Sequence, residues 1–429
     1  MRGNSPLRRL PLRNLYVFVT VAVFLAASGT YAQESILGKP PLKTGSSPSI
    51  EVRTDTELFR YMLDFQNRQN SKEVALLLNH ENWDGDQLRV VLGGQGRFSL
   101  LAAGTNTADK FPYLGRFPTD FAGNSATDAR LLQANMGAAV HAGSWVNLYG
   151  ELLFSDVFTF PSFNQGSLQT RQAYAVIGDL SQTPWYAFIG KKNLSFGDMG
   201  TLSPFTQAVP WHYFGALSEG IGVGYAGERF HIAAQAVNGS RGIRVADSKE
   251  KGKLDNLATN IIYTLPFSDE VQLQLGGGFL LGTIYDGNVA EHIDATVVGD
   301  RNSAYDLNAL LQIGAFTFAG EFVSTVDDWP VTNHEVRAYR TEGAYDTTCL
   351  GVPSRFSVSW SEGIQGDRGT EFEFNRQLVI GLGMQVSNNA LCTFEYVRSS
   401  GFAPLINITT VSDRNVVQDS AVLGLTLVF

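Results

Sequence analysis

Histidines, cysteines and one glycine triplet are the residues here that could do local chemistry, and their spacing argues against it. In GVGYAG, Gly222, Gly224 and Gly227 match G-x-G-x-x-G. That pattern cradles a pyrophosphate only between a strand and the helix it opens. Here the flanking residues read as a strand and a hairpin turn, so the glycines are expected to be small residues on a strand face. His80, His141, His212, His231, His292 and His334 lack close metal-ligand spacing. A serine beside His231 or His141 would make a hydrolase, but nothing local requires one. No catalytic residue, metal or cofactor is assigned, and an enzyme is not expected.

The charged residues offer a different chemistry, contact with a passing solute. Arg97, Arg171, Arg340 and Arg355 fall on the polar side of alternating segments, with Glu151, Asp306, Glu321, Glu342, Glu373 and Glu395. The signs are mixed, so an unbalanced basic ring of the kind that selects phosphate is not expected. Lys191 and Lys192, in YAFIGKKNLSFGDMG, end a strand and open a loop over 192–218. That loop carries Phe196, Trp211, His212, Tyr213 and Phe214. It is long enough to fold inward and place basic and aromatic groups at a constriction.

The elements that position these residues are strands. In VNLYGELLF, Val146, Leu148, Leu152 and Phe154 alternate with Asn147, Tyr149, Glu151 and Leu153. In VQLQLGGGFLL, Val271, Leu273, Leu275, Phe279 and Leu281 alternate with Gln272, Gln274 and glycines. Period-two patterning marks strands with two different faces. Sixteen such segments are predicted, near 88–104, 131–143, 144–158, 168–179, 184–191, 219–227, 229–238, 255–265, 270–284, 304–314, 315–328, 334–346, 353–362, 372–386, 390–399 and 416–429. Gaps after odd-numbered strands are long, and gaps after even-numbered ones, such as AGS, SQTP and AGER, are short. Long loops at one end and tight turns at the other are the habit of an outer-membrane barrel.

Residues 1–32 carry Arg2, Arg8, Arg9 and Arg13, an apolar run from Leu15 to Ala27, and small residues to Ala32. This reads as a cleaved secretory signal peptide, cut after Ala32 or, second, after Gly29. Loss of four arginines and no acid takes the formal charge from −9 to −13, which disfavours nucleic acid as a partner. Beyond the signal, no apolar run reaches the roughly 18 residues of a membrane helix. Residues 33–87 are expected to be a periplasmic linker and a short amphipathic helix, because Leu58, Met62 and Phe65 recur at helical spacing after Thr54 or Asp55. Cys349 and Cys392 allow one disulfide, or two free thiols.

The last residues, AVLGLTLVF, put Ala421, Leu423, Leu425, Leu427 and Phe429 on one face and Ser420, Gly424 and Thr426 on the other. A terminal strand ending on Phe resembles the signal that the barrel-assembly machinery reads, with Leu425, Leu427 and Phe429 as its residues. The expected fold is therefore all-β: a transmembrane antiparallel β-barrel of about 16 strands over 88–429, with a short N-terminal helical segment. Sixteen strands enclose an aqueous channel, whereas plugged transporters have 22. The chain is too short for the latter, so a plug-free pore is expected. Its partners would be outer-membrane lipid and lipopolysaccharide and a small anionic solute. Its residence would be the outer membrane of a Gram-negative cell, and the strand number is that of many homotrimers.

The run QAYAVIGDLSQTPWYAFIGKKNLSFGDMGTLSPFT, followed by EGIGVGYAGERFHIAAQAVNG, resembles the LbtU-type siderophore porin family over about Trp145 to Tyr345. The resemblance implies an outer-membrane barrel that takes up an iron-siderophore chelate by a facilitated route. It carries no siderophore-contacting residue onto this chain. A general or anion-preferring diffusion porin is the alternative, and a barrel enzyme or a structural or adhesive barrel the second.

Overall fold

The computed structural model of the protein describes residues 50–81, 88–112, 122–155, 167–244, 253–286, 301–368, 373–402 and 414–429. The expected signal peptide and most of the expected linker lie outside the described residues. The chain starts with β1 (Ile50–Thr54), α1 (Thr56–Leu63) and α2 (Glu73–Glu81). Eight strands follow: β2 (Leu88–Thr105), β3 (Ser125–Ala142), β4 (Val146–Ser155), β5 (Ser167–Ile177), β6 (Trp185–Asn193), β7 (Ala216–Ala226), β8 (Phe230–Arg244) and β9 (Asn256–Ser268). A short helix, α3 (Val209–Phe214), lies between β6 and β7. The remaining strands are β10 (Val271–Thr283), β11 (Asn302–Ile313), β12 (Phe316–Thr325), β13 (Arg337–Cys349), β14 (Val352–Ile364), β15 (Asn375–Ser387), β16 (Ala390–Gly401) and β17 (Val417–Val428).

Strands β2 to β17 pair antiparallel with their neighbours in sequence, and β17 pairs with β2 from Gln418↔Thr105 to Val428↔Gln95. The sheet therefore closes, which removes the free edges that a flat sheet would expose. The sixteen predicted strands are the sixteen barrel strands. The largest boundary corrections are β3, which starts at Ser125 and shortens the first long loop, and β8, which runs on to Arg244. β17 behaves as the alternation demands: Ala421, Leu423 and Leu427 are exposed outward, while Gly424, Thr426 and Val428 are buried inward. On the outside Leu423 faces Leu100 on one neighbour and Phe394 on the other, each more than half exposed. An exterior of such residues belongs in hydrocarbon.

β1 is a seventeenth strand, missed in the sequence. It runs parallel to β2 with Ile50↔Leu88 to Thr54↔Leu92, on the edge that β17 leaves when the chain stops at Phe429. Phe429 itself exchanges backbone hydrogen bonds with Gly94, both 3.0 Å. Cys349 and Cys392 are free.

One helix was expected after Thr54, and two are present. Asp55 caps α1, accepting from Leu58 N at 3.0 Å. The chain breaks after Leu63, and Ser71 adopts a left-handed φ of 62°. Lys72 Nζ then donates to the carbonyls of Met62 (3.1 Å) and Asp64 (2.5 Å), satisfying acceptors that the end of α1 leaves open.

Candidate functional site: the occupied lumen

The interior of the barrel holds two inserts. The first is the N-terminal hairpin of α1 and α2. Phe59 lies over Gly93 and Gly137, neighbouring inward positions of β2 and β3, where any Cβ would overlap the Phe59 ring. Leu58, Phe59, Met62, Leu63, Leu76 and Leu77 are buried with Val91, Ala139, Tyr149, Tyr174, Val176 and Tyr186 of the β2–β6 wall. Residues 55–81 are thus not a periplasmic element beside an empty pore, and the expectation of a plug-free lumen is corrected. The cause is the pair of inward glycines, which gives an aromatic helix face a seat inside the sheet. Burial of six large apolar side chains contributes on the order of 10 kcal/mol before entropy. The hairpin is packed into the wall as an insert.

The second insert is the loop from Leu194 to Gly215, which folds inward between β6 and β7. Three wall carboxylates hold it at intervals. Glu321 of β12 accepts from the backbone N–H of Asp198 (2.7 Å) and Met199 (2.9 Å). Glu342 of β13 accepts from Leu202 N (2.9 Å) and the Thr201 hydroxyl. Glu395 of β16 accepts from Phe205 N (2.8 Å), Thr206 N (3.1 Å) and the Thr206 hydroxyl. Carboxylates serve here because each takes several donors at once in a dry setting. Arg340 balances them, paired with Glu321 (2.8 Å), Asp198 (2.9 Å) and Glu342. Burial raises the Asp198 carboxyl, but Arg68 and Arg340 outweigh it and hold the group below the ordinary aspartate value.

The two inserts hold each other. Gln69 N donates to Asp198 O (2.9 Å), Thr201 N to Gln66 O (2.7 Å), and the Gln66 side chain to Phe205 O (2.9 Å). Arg68 meets Asp198 at 3.5 Å and Asn308 at 2.9 Å. Lys192 of β6 pairs with Glu73 of α2 at 3.1 Å, with side chains only 3% and 0% exposed. Burial raises the Glu73 carboxyl, while Lys192 and His231 reverse the sign and leave it below the usual glutamate value. Burial also lowers the Lys72 ammonium to about 8.

The predicted pore-lining residues divide accordingly. Arg97 faces inward, donates to Phe205 O at 2.7 Å and lies over the Phe205 ring. Glu151 and Arg171 face inward as a buried pair at 3.1 Å, with Arg171 over the Phe65 ring. Glu321, Arg340 and Lys192 also face inward, where they are buried and grip the inserts. Lys191 is corrected: it points outward and donates to Thr170 O at 2.9 Å, since neighbours on a strand take opposite faces. Arg355 of β14 faces the lumen, 42% exposed and held by Asp346 through two bonds of 2.7 Å. Phe196, Trp211 and Tyr213 belong to a cluster that seats the loop on the β8–β13 wall, and His212 is buried beside them in α3. A constriction of exposed aromatic groups is therefore not what this loop presents. Glu73, Arg68 and Asp198 went unrecognised in the sequence, and their only local signal was the FGDMG turn.

Gly222 and Gly224 lie within β7, where a Cβ would overlap the rings of Phe188 and Tyr186. They make room for inward aromatics, and β7 opens no helix.

Among the described residues, two cavities border the hairpin and the wall across from it. One, of about 470 Å³, is lined in part by Arg60, Arg97, Arg355, Gln385 and Thr426. The other, of about 640 Å³, is lined in part by Arg68, Gln274, Leu310, Ala319 and Arg355. Gln66, Asn67, Thr201, Leu202 and Arg355 border both.

No family model matches the chain. It is 23% identical over 257 residues to a UPF0422 protein of Coxiella burnetii (strain RSA 493 / Nine Mile phase I), a stretch of 57% of this chain and 53% of that protein. The chain thus spans about half the length of the curated relative it matches. Among solved structures, the outer membrane channel DcaP of Acinetobacter baumannii is similar at TM-score 0.53 and 13% identity, covering 80% of this chain and 97% of that one. An anion-selective porin from Comamonas acidovorans is similar at 0.53 and 9%, covering 80% and 100%. Pseudomonas putida OprB is similar at 0.52 and 9%, covering 86% and 100%. These likenesses extend to the fold alone: the chain is a closed, antiparallel sixteen-stranded barrel.

Proposed function

We propose that the protein is an outer-membrane pore for small hydrophilic solutes of anionic character. The observation that carries this reading is a sixteen-stranded barrel with an apolar exterior and a loop stapled across its polar interior. A sheet of that size encloses more space than its own side chains fill. The remaining cavities fall in the range of about 300–1,000 Å³ in which small solutes are bound. Their cations among the described residues are chiefly arginines, whose forked donors suit carboxylates. A ferric siderophore is the specific cargo suggested by the sequence resemblance. Lipopolysaccharide, the barrel-assembly machinery and a trimeric state belong to the same reading, as does the absence of an enzymatic activity.

Purified protein in planar bilayers is expected to give discrete conductance steps with a preference for anions. A folded, inserted barrel that stays silent would remove the pore reading. Growth on a ferric siderophore as sole iron source, with and without the gene, tests the cargo: equal growth would leave a general anion pore.

A further inference from the structure

We infer that solute crosses on one side of the lumen only, through the crescent bordered by the hairpin and by the wall that runs from β7 through β17 to Arg97 of β2, and that the Arg355–Asp346 pair is the charged element it must pass. This rests on the pore reading and adds a path and a selectivity determinant to it.

The hairpin divides the lumen unequally. On its β2–β6 side it is packed dry, with Phe59 and Met62 fully buried and Ala139 of the wall sealed beneath them. Among the described residues that contact is apolar and closely packed. On its other side the two cavities adjoin, sharing the Gln66–Asn67 turn of the hairpin, Thr201 and Leu202 of the loop, and Arg355. Arg355 is the residue of the strand wall common to both cavities, so a solute moving from one to the other passes its guanidinium. The other inward arginines of the strands are less accessible. Arg97, Arg171 and Arg340 have almost no exposed surface, whereas Arg355 and Asp346 are nearly half exposed. Because the pair is neutral as a whole, removing either partner leaves the opposite charge alone in the path. The two removals must then shift ion preference in opposite directions.

Two measurements test this in reconstituted bilayers, starting from a Cys349→Ser, Cys392→Ser background. Under a salt gradient, Arg355→Gln is expected to move the reversal potential toward cations and Asp346→Asn toward anions. No shift in either, or shifts of the same sign, would overturn the role of the pair. For the path, Leu310→Cys, facing the crescent, is expected to react with a bulky charged thiol reagent and lose conductance. Ala139→Cys, beneath the hairpin, is expected to stay unmodified by mass and unchanged in conductance. Modification and block at Ala139→Cys, or full modification at Leu310→Cys without block, would overturn the one-sided path. Absence of conductance in the unmutated protein would instead strike the pore reading itself.

Discussion

At the scale of single residues, carboxylates in this lumen act on backbone as much as on solute. Glu395 gathers two amides and a hydroxyl from Phe205 and Thr206. Glu395→Ala leaves those donors without their acceptor, at about 1.5–3 kcal/mol for each bond to a charged group. The expected outcome is a folded, heat-modifiable barrel whose loop is loosened. Single-channel conductance should rise and become noisier, and an unchanged trace would show that the loop is held without this staple. Glycines carry as much structural information as the acids. Gly137→Val places carbon where the Phe59 ring lies, so the hairpin should become sensitive to protease while the barrel persists. Combining Gly137→Val with Phe59→Ala should relieve the overlap yet forfeit the packing of a large aromatic, worth about 3–5 kcal/mol. If Gly137→Val alone leaves the hairpin as resistant as before, the seat over Gly93 and Gly137 is not what holds it.

At the scale of elements, the hairpin was half legible. Helical spacing of Leu58 and Met62 identified α1, whereas Phe65, counted in the same spacing, lies beyond its end, and of the two starts expected, Thr54 or Asp55, the cap is Asp55. The break at Asp64 and the tie made by Lys72 depend on a side chain reaching back 8 and 10 residues, which no periodicity encodes. That tie predicts a pH dependence. Burial lowers Lys72 to about 8 when the hairpin is docked, below its ordinary 10.5. The undocked segment therefore binds more protons between those values, and docking strengthens as pH rises through that window. Below about pH 8 the cost of burying the ammonium is present in full. Protease resistance of the hairpin should increase from pH 8 to 10, and Lys72→Met should flatten the slope. A slope that survives the substitution would assign the effect to another group.

At the scale of the whole molecule, the two faces of one strand separate lipid from lumen. Leu425 faces outward on β17, and Thr426, the next residue, faces inward onto the 470 Å³ cavity. Leu425→Arg puts a cation in hydrocarbon at about 2–4 kcal/mol near mid-bilayer, so the yield of folded barrel should fall. Thr426→Arg should fold normally and change conductance. Equal losses of folded protein from both would mean a packed interior at that depth. Phe429, which closes the seam through Gly94, should matter for assembly: its deletion is expected to leave export intact and lower the level of heat-modifiable barrel.

The sixteen barrel strands and most of their facing were set by the sequence alone, though not β1, because a strand's two environments are written into alternate residues within ten positions. The outward run Ala421, Leu423, Leu425, Leu427 needed no neighbour to be read, whereas Lys191, expected at the pore with Lys192, was placed outside only by the structure. What fills the barrel was decided by tertiary structure. Glu395 finds Thr206 across 189 residues and Tyr186 finds Glu73 across 113, and sheet closure alone brings such partners together. Whether Phe59 lies in water or inside the sheet depends on two glycines on neighbouring strands being level with each other, a matter of register that no single segment of the chain contains.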